Sequence, residues 1–187
     1  MNKQLKIVFL LVFSTAVNAA SKEQMILESK QSIKQYATQL KGKLQQGMKA
    51  GGPANAIQVC NTAAAEISRQ VSEQQGWKIA RTSLKVRNSN NAADAWEHQV
   101  LQNFEQRLKK GESIQNLEFA EIIKKDNQPV FRYMKAIPTQ GVCLSCHGEK
   151  LSPDVTKKLS ELYPEDQATG FKMGDIRGAF SITRHTN

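Results

Sequence analysis

From Ser21 to Met48, apolar side chains recur at Ile26, Ile33, Ala37, Leu40, Leu44 and Met48, in steps of three, four or seven residues. That spacing keeps one face of an α-helix apolar, and Ser21 with Gln24 offers a capping pair at its start. Gly51-Gly52-Pro53 interrupts the pattern, and Pro53 suits the first position of a second helix. Along that second run Ile57, Cys60, Ala64, Ile67 and Val71 share one face. The two helices are predicted to fold back on each other as a hairpin.

Beyond Gly76 the pattern changes period. Trp77 to Thr82 alternates like a strand, and Arg87-Asn88-Ser89-Asn90-Asn91 reads as a polar turn. Asp94 with Glu97 signals another helix, whose apolar face is Trp96, Val100, Phe104 and Leu108 and whose end is Gly111. Leu117–Lys124 and Val130–Ile137 read as strands around a turn at Asp126-Asn127-Gln128-Pro129. On the second of these, Phe131 and Tyr133 are expected to divide between the two faces. Ser152-Pro153 caps a short helix through Leu162, and Gly178–Thr183 is a closing strand. No internal repeat or low-complexity linker is present. Helices followed by strands with inserted helices predict one α+β domain with an antiparallel sheet.

The first residues carry a different pattern. Lys3 and Lys6 precede an apolar run, Ile7–Val17, and then Val17-Asn18-Ala19, the layout of a secretory signal peptide. The run is shorter than the roughly 20 apolar residues a membrane span needs. Residues 1–19 are therefore expected to be cleaved, leaving 20–187 as a periplasmic domain with no stable membrane anchor. Losing Lys3 and Lys6 lowers the formal net charge from +9 to +7. The remaining basic residues are scattered as pairs, at Lys109-Lys110, Lys124-Lys125 and Lys157-Lys158, without interleaved aromatics. That distribution disfavours a nucleic-acid partner.

Export changes how the three cysteines read. Cys143-Leu144-Ser145-Cys146-His147 is a C-x-x-C-H sequence, the attachment signal for c-type haem. The two thiols add to the haem vinyl groups, and the adjacent His147 ligates the iron. A thioredoxin-like motif belongs beside a βαβ pattern, which is missing here. A zinc site needs a second ligand pair that the sequence does not supply. A disulfide across the short Cys143–Cys146 loop stays open. One motif means one haem. Forty residues follow His147, which suits neither a small electron carrier with an early motif nor a four-helix cytochrome with a terminal one.

The opposite axial position has several candidates: Cys60, His98, His185, Met25, Met48, Met134 and Met173. Met25 and Met48 read as packing residues. His98 reads as solvated, His185 as frayed at the terminus, and Met134 as a side chain packed near the ring. Met173 lies in a loop between Lys172 and Gly174. Cys60 sits mid-face on a helix and has no thiol partner once haem takes the other two. It is either a small buried hydrophobe or a thiolate on iron, which would favour the ferric state.

These residues together resemble the Tll-like haem domain family. The resemblance runs through Ala56–Cys60, Arg81–Asn88, Asn91–Glu97 and Cys143–Gly148, and continues through Tyr163–Phe171 and Gly174–Ala179. It implies a PAS-like fold, with helices flanking an antiparallel sheet, and a c-type haem ligated by His147 and Cys60. It also implies redox or gas sensing, since related domains are sensory inputs of membrane signalling proteins. The chain departs from the family in two respects. Ser89 stands where the family's Arg-Asn-Pro stretch has proline, and nothing after Thr183 reads as a kinase, membrane span or output domain.

Haem propionates want cationic partners. Arg81 and Arg87 are the first choices, with Arg132 and Arg177 behind them. The sequence thus predicts an exported mono-haem c-type cytochrome acting as a redox or diatomic-gas sensor, with a periplasmic redox partner or a signalling protein. The alternative is a low-potential periplasmic electron carrier. An enzyme ranks last, because scarce histidines leave few acid–base groups.

Overall fold

The computed structural model describes the backbone of residues 13–186, with side chains from Lys22 onward. The expected leader, 1–19, lies largely outside them. Helix α1 (Phe13–Gln75) is interrupted at Gly51 (φ −171°, ψ 26°) and Gly52 (φ 70°, ψ −164°). The positive φ of Gly52 is a conformation that glycine adopts without steric cost. Two arms, 13–50 and 53–75, result, and they fold back as the apolar periodicity predicts. The Tyr36 hydroxyl donates to the Ala64 carbonyl at 3.2 Å, and Gln35 bonds both Gln74 and Gln75 across the pair. The helix start expected at Ser21 falls inside the first arm. Ala19 and Ala20 are strong helix formers, so the helix runs through them without a break.

Four strands form one antiparallel sheet in the order β1-β4-β3-β2. They are β1 (Lys78–Thr82), β2 (Glu118–Lys125), β3 (Gln128–Pro138) and β4 (Ile176–His185). The β2–β3 turn is shorter than expected. Asp126 and Asn127 both take positive φ, 50° and 62°, which makes a two-residue hairpin loop. Gln128 and Pro129 therefore join β3, where they pair with Lys125 and Lys124.

Helix α2 (Ala95–Lys109) starts at the predicted capping box, with Asp94 accepting from the Glu97 amide and Glu97 accepting from the Asp94 amide. Two short helices, α3 (Gly141–His147) and α4 (Pro153–Leu162), lie between β3 and β4. The C-x-x-C-H residues occupy α3, an element too short for the apolar pattern to predict.

The sheet is covered on both faces. On one side Met25, Ile33, Tyr36, Ile67 and Val71 of α1 pack on Ile79, Phe131, Tyr133 and Ile182. On the other, Val100, Leu101 and Phe104 of α2 pack on Met134, Ala136 and Ala179. Phe131 and Tyr133 therefore share the α1 face instead of dividing, because strand residues two apart point the same way. A third cluster of Ile57, Val155 and Leu159, with Cys146 against it, fastens α3 and α4 to the second arm. At the end of the sheet, Gly178 (φ 154°) runs so close to β1 that a Cβ there would collide with the Thr82 carbonyl.

Candidate functional site

That close approach puts the end of β1 and the start of β4 beside α3, and the chemistry gathers there. His147 is the last residue of α3, and a second chain segment, 163–171, wraps around it. The Phe171 amide donates to the His147 carbonyl at 2.9 Å, and the Gly170 amide to Gly148 at 3.0 Å. The Phe171 ring stands edge-on to the imidazole, with centroids 6.2 Å apart.

The Nδ1 of His147 lies 2.7 Å from the Ala168 carbonyl oxygen. A carbonyl only accepts, so Nδ1 carries the proton and Nε2 keeps its lone pair. The Nε–H of Arg177 approaches that lone pair at 3.5 Å. Burial, then the Arg177 and Arg87 guanidinium groups, push the imidazole pKa down to about 2, so the ring is a neutral base. A neutral imidazole with an anchored Nδ1–H, whose Nε2 lone pair meets only the long Arg177 contact, is suited to bind a metal once that guanidinium turns aside.

Three guanidinium groups converge on it. Arg81 lies over the Tyr36 ring, 5.7 Å from its centroid, and its Nε is buried with no partner. Arg87 pairs with Asp166 at 2.9 Å, with only 11% and 8% of the two side chains exposed. Arg177 lies over Phe171 at 5.2 Å and donates to Ser83 and the Lys85 carbonyl. Burial pulls the pKa of Arg177 down to about 10, and Arg87 and Arg81 add to that.

The three cysteines are free thiols, each half-buried. Cys146 faces the Pro53 carbonyl at 3.9 Å, at the head of the second arm of α1. Burial raises the Cys60 pKa, while Arg81 and Arg87 oppose the rise. Burial likewise raises Cys146; Arg87 opposes it, and the neighbouring Cys60 and Cys143 add to it. Cys60, Cys143, Cys146, His147, Arg81 and Arg87 thus lie within one electrostatic neighbourhood.

The other axial candidates lie elsewhere. Met25, on α1, and Met134, under α2, are core residues. His98 and His185 are exposed, Met48 is half-buried, and Met173 is 65% exposed. Arg132 is not at the site. It sits under α2, bonded to Asp94 at 2.7 Å and Glu97 at 3.1 Å and stacked 4.2 Å from the Trp96 ring. Asp166, Ala168 and Phe171 carry no individual signal in the sequence, although all three fall within the Tyr163–Phe171 stretch of the resemblance. Tyr36 escapes the pattern because its neighbours Ile33, Ala37 and Leu40 already complete a face.

A mixed α+β protein, with helices on both faces of an antiparallel sheet and a C-x-x-C-H helix at its end, is the class these features define. The chain belongs to the Tll0287-like family, whose model matches residues 14–184. A solved relative is the cyanobacterial heme-protein Tll0287, known from its crystal structure. It has a TM-score of 0.65 and 24% identity, over 88% of this chain and 96% of that one. The fold is therefore shared from the helical hairpin to β4. No curated protein sequence matches the chain.

Proposed function

We propose that this chain binds one haem c, held by thioether bonds to Cys143 and Cys146, with His147 and Cys60 as axial ligands. In this reading it is exported to the periplasm and acts as a redox or diatomic-gas sensor. The carrying observation is the Nδ1 bond of His147 to Ala168, which fixes the tautomer and leaves Nε2 as the ring's lone-pair donor, met only by the 3.5 Å contact from Arg177. The local charge fits the group as well. Arg81, Arg87 and Arg177 meet one carboxylate, Asp166, so the pocket holds an excess of two positive charges. Haem brings two propionates, and an unpartnered Arg81 Nε is a donor of the kind they need. The C-x-x-C-H signature points the same way, as does the solved relative, itself a heme-protein.

Haem supplies a one-electron iron couple and, when an axial position opens, a site for a small gas. The protein's part is to set which state is favoured. Cys60, half-buried between cations, is placed where its anionic form gains from Arg81 and Arg87 while burial opposes it. A thiolate in that balance is a weakly held ligand, which suits a sensor. The electron-carrier reading draws on two exposed apolar side chains near the attachment motif: Val142 of α3, 47% exposed, and Met173, 65% exposed, whose methyl group lies beside Gly141.

Four measurements test the proposal. The alkaline pyridine spectrum of purified protein should report one covalently bound haem per chain, and a haem-free product ends this reading. Replacing Cys60→Ala should abolish a low-spin thiolate signature in the ferric spectrum, and an unchanged spectrum removes Cys60 from the iron. Rapid CO or NO binding to the ferrous protein favours the sensor. Fast, ligation-neutral electron exchange favours the carrier.

A further inference from the structure

The Ala168 carbonyl has two donors. His147 Nδ1 lies 2.7 Å from it, and Arg87 Nη2 lies 3.3 Å from it. The same Nη2 donates to the Cys146 carbonyl at 2.5 Å, and Arg87 Nε donates to Asp166 at 3.1 Å. Asp166 closes the circuit, because its Oδ1 accepts from the Ala168 amide at 2.8 Å. The strap is also tied to the Arg87 segment by the Gln167 amide, which donates to Val86 at 2.8 Å. One buried ion pair therefore touches the residue before His147 and both backbone groups of its hydrogen-bond acceptor.

We propose that Arg87 and Asp166 are the positioning pair for His147, holding the Ala168 carbonyl on Nδ1–H. A carbonyl held on Nδ1–H fixes the ring's orientation and tautomer and raises its basicity as a ligand. Both ionic partners are buried, so removing one leaves the other charge uncompensated and frees the strap. Only the effect on iron rests on the haem reading; the positioning of the imidazole does not.

The test reads the Nδ1–H of His147 by 15N-edited NMR in the full chain, both haem-free and in the ferrous haem-bearing protein. Arg87→Gln and Asp166→Asn should each speed Nδ1–H exchange by about tenfold, the loss of roughly one net hydrogen bond. Arg87→Lys, which keeps a charge for Asp166 but lacks the fork, should fall between them and the parent. If Arg87→Gln prevents folding, the Arg87→Lys comparison carries the same readout. In the haem-bearing protein Asp166→Asn should also raise the reduction potential, since losing an anion and weakening the imidazole both disfavour ferric iron. Unaltered Nδ1–H exchange in the variants overturns the proposal. A protein without haem overturns the haem reading instead, and leaves the exchange result to judge the positioning pair.

Discussion

Arg132 offers a measurable separation between scaffold and site. Its guanidinium is 9% exposed, bonds Asp94 at 2.7 Å and Glu97 at 3.1 Å, and stacks on Trp96 at 4.2 Å. Glu97 also accepts the Ser181 hydroxyl at 2.6 Å. The Arg132→Met variant keeps the apolar stem but leaves Glu97 buried without its counter-charge. Breaking a buried pair from one side costs about 3–5 kcal/mol. Ser181 still donates to Glu97 and Asp94 is half exposed, so the lower end, about 3 kcal/mol, is expected. For a domain of this size that lowers Tm by about 6–12 °C. Adding Glu97→Gln removes the buried uncompensated charge; its one carbonyl oxygen keeps the Asp94 amide of the capping box, and the Ser181 hydroxyl turns to accept from its amide nitrogen. The double variant should therefore recover about 1–2 kcal/mol relative to Arg132→Met alone. Urea and thermal unfolding followed by circular dichroism give these numbers. The visible haem spectrum should stay unchanged throughout, because Arg132 lies on the α2 side of the sheet. A loss below about 1 kcal/mol, or a shifted haem spectrum, would refute the reasoning.

The scaffold carries two further expectations. Gly178→Ala drives a Cβ into the Thr82 carbonyl at φ 154°, so it should cost at least about 1–3 kcal/mol by urea midpoint, and a neutral result would show that β1 can move aside. Stability should also fall in acid. Gln24 and Arg184 lower the pKa of Glu28. For Asp94 and Glu118, burial raises the pKa, but hydrogen bonds and cations outweigh it and the net direction is down. Their folded values lie below unfolded values near ~4. The stabilisation they give is complete above that and is lost as pH drops through the folded values. Burial holds the His147 pKa at about 2 against an ordinary value of 6.5, so the unfolded chain gains a proton there first. Thermal scans should show Tm falling from about pH 6.5 downward and more steeply below about pH 4 as the carboxylates join, and a flat Tm down to about pH 5 would contradict the assignment.

Much of the scaffold is legible in the sequence because it rests on local rules. Apolar spacing and Gly51-Gly52-Pro53 give the hairpin, and Asp94 with Glu97 gives the start of α2. The C-x-x-C-H motif is equally local, and the structure gathers it on α3. The features that escape depend on distant partners. Arg87 finds Asp166 across 79 residues, and Arg132 finds Glu97 across 35; nothing in a single chain marks which arginine meets which acid. The β2–β3 turn is overextended in the sequence because Pro129 reads as a breaker. Near the start of β3, opposite Lys124, the strand accommodates it. The shared face of Phe131 and Tyr133 is no hidden feature, since expecting them to divide misapplies the strand period.

The position of β4 sets when this molecule can become itself. The last strand along the chain is an inner strand of the sheet, paired on one side with β1 and on the other with β3. A chain emerging amino terminus first carries β1 for almost a hundred residues before its partner exists. Until Ile176–His185 arrives, β1 and the β2–β3 hairpin are separate pieces with bare edges, the condition in which strands recruit one another between molecules. Such long-range closure is intrinsically slow. The C-x-x-C-H helix and the arm that carries Cys60, by contrast, meet through Ile57, Val155 and Leu159, all of them synthesised before β4. In the proposed haem protein, the attachment helix and the Cys60 arm would therefore be able to meet before the sheet closes.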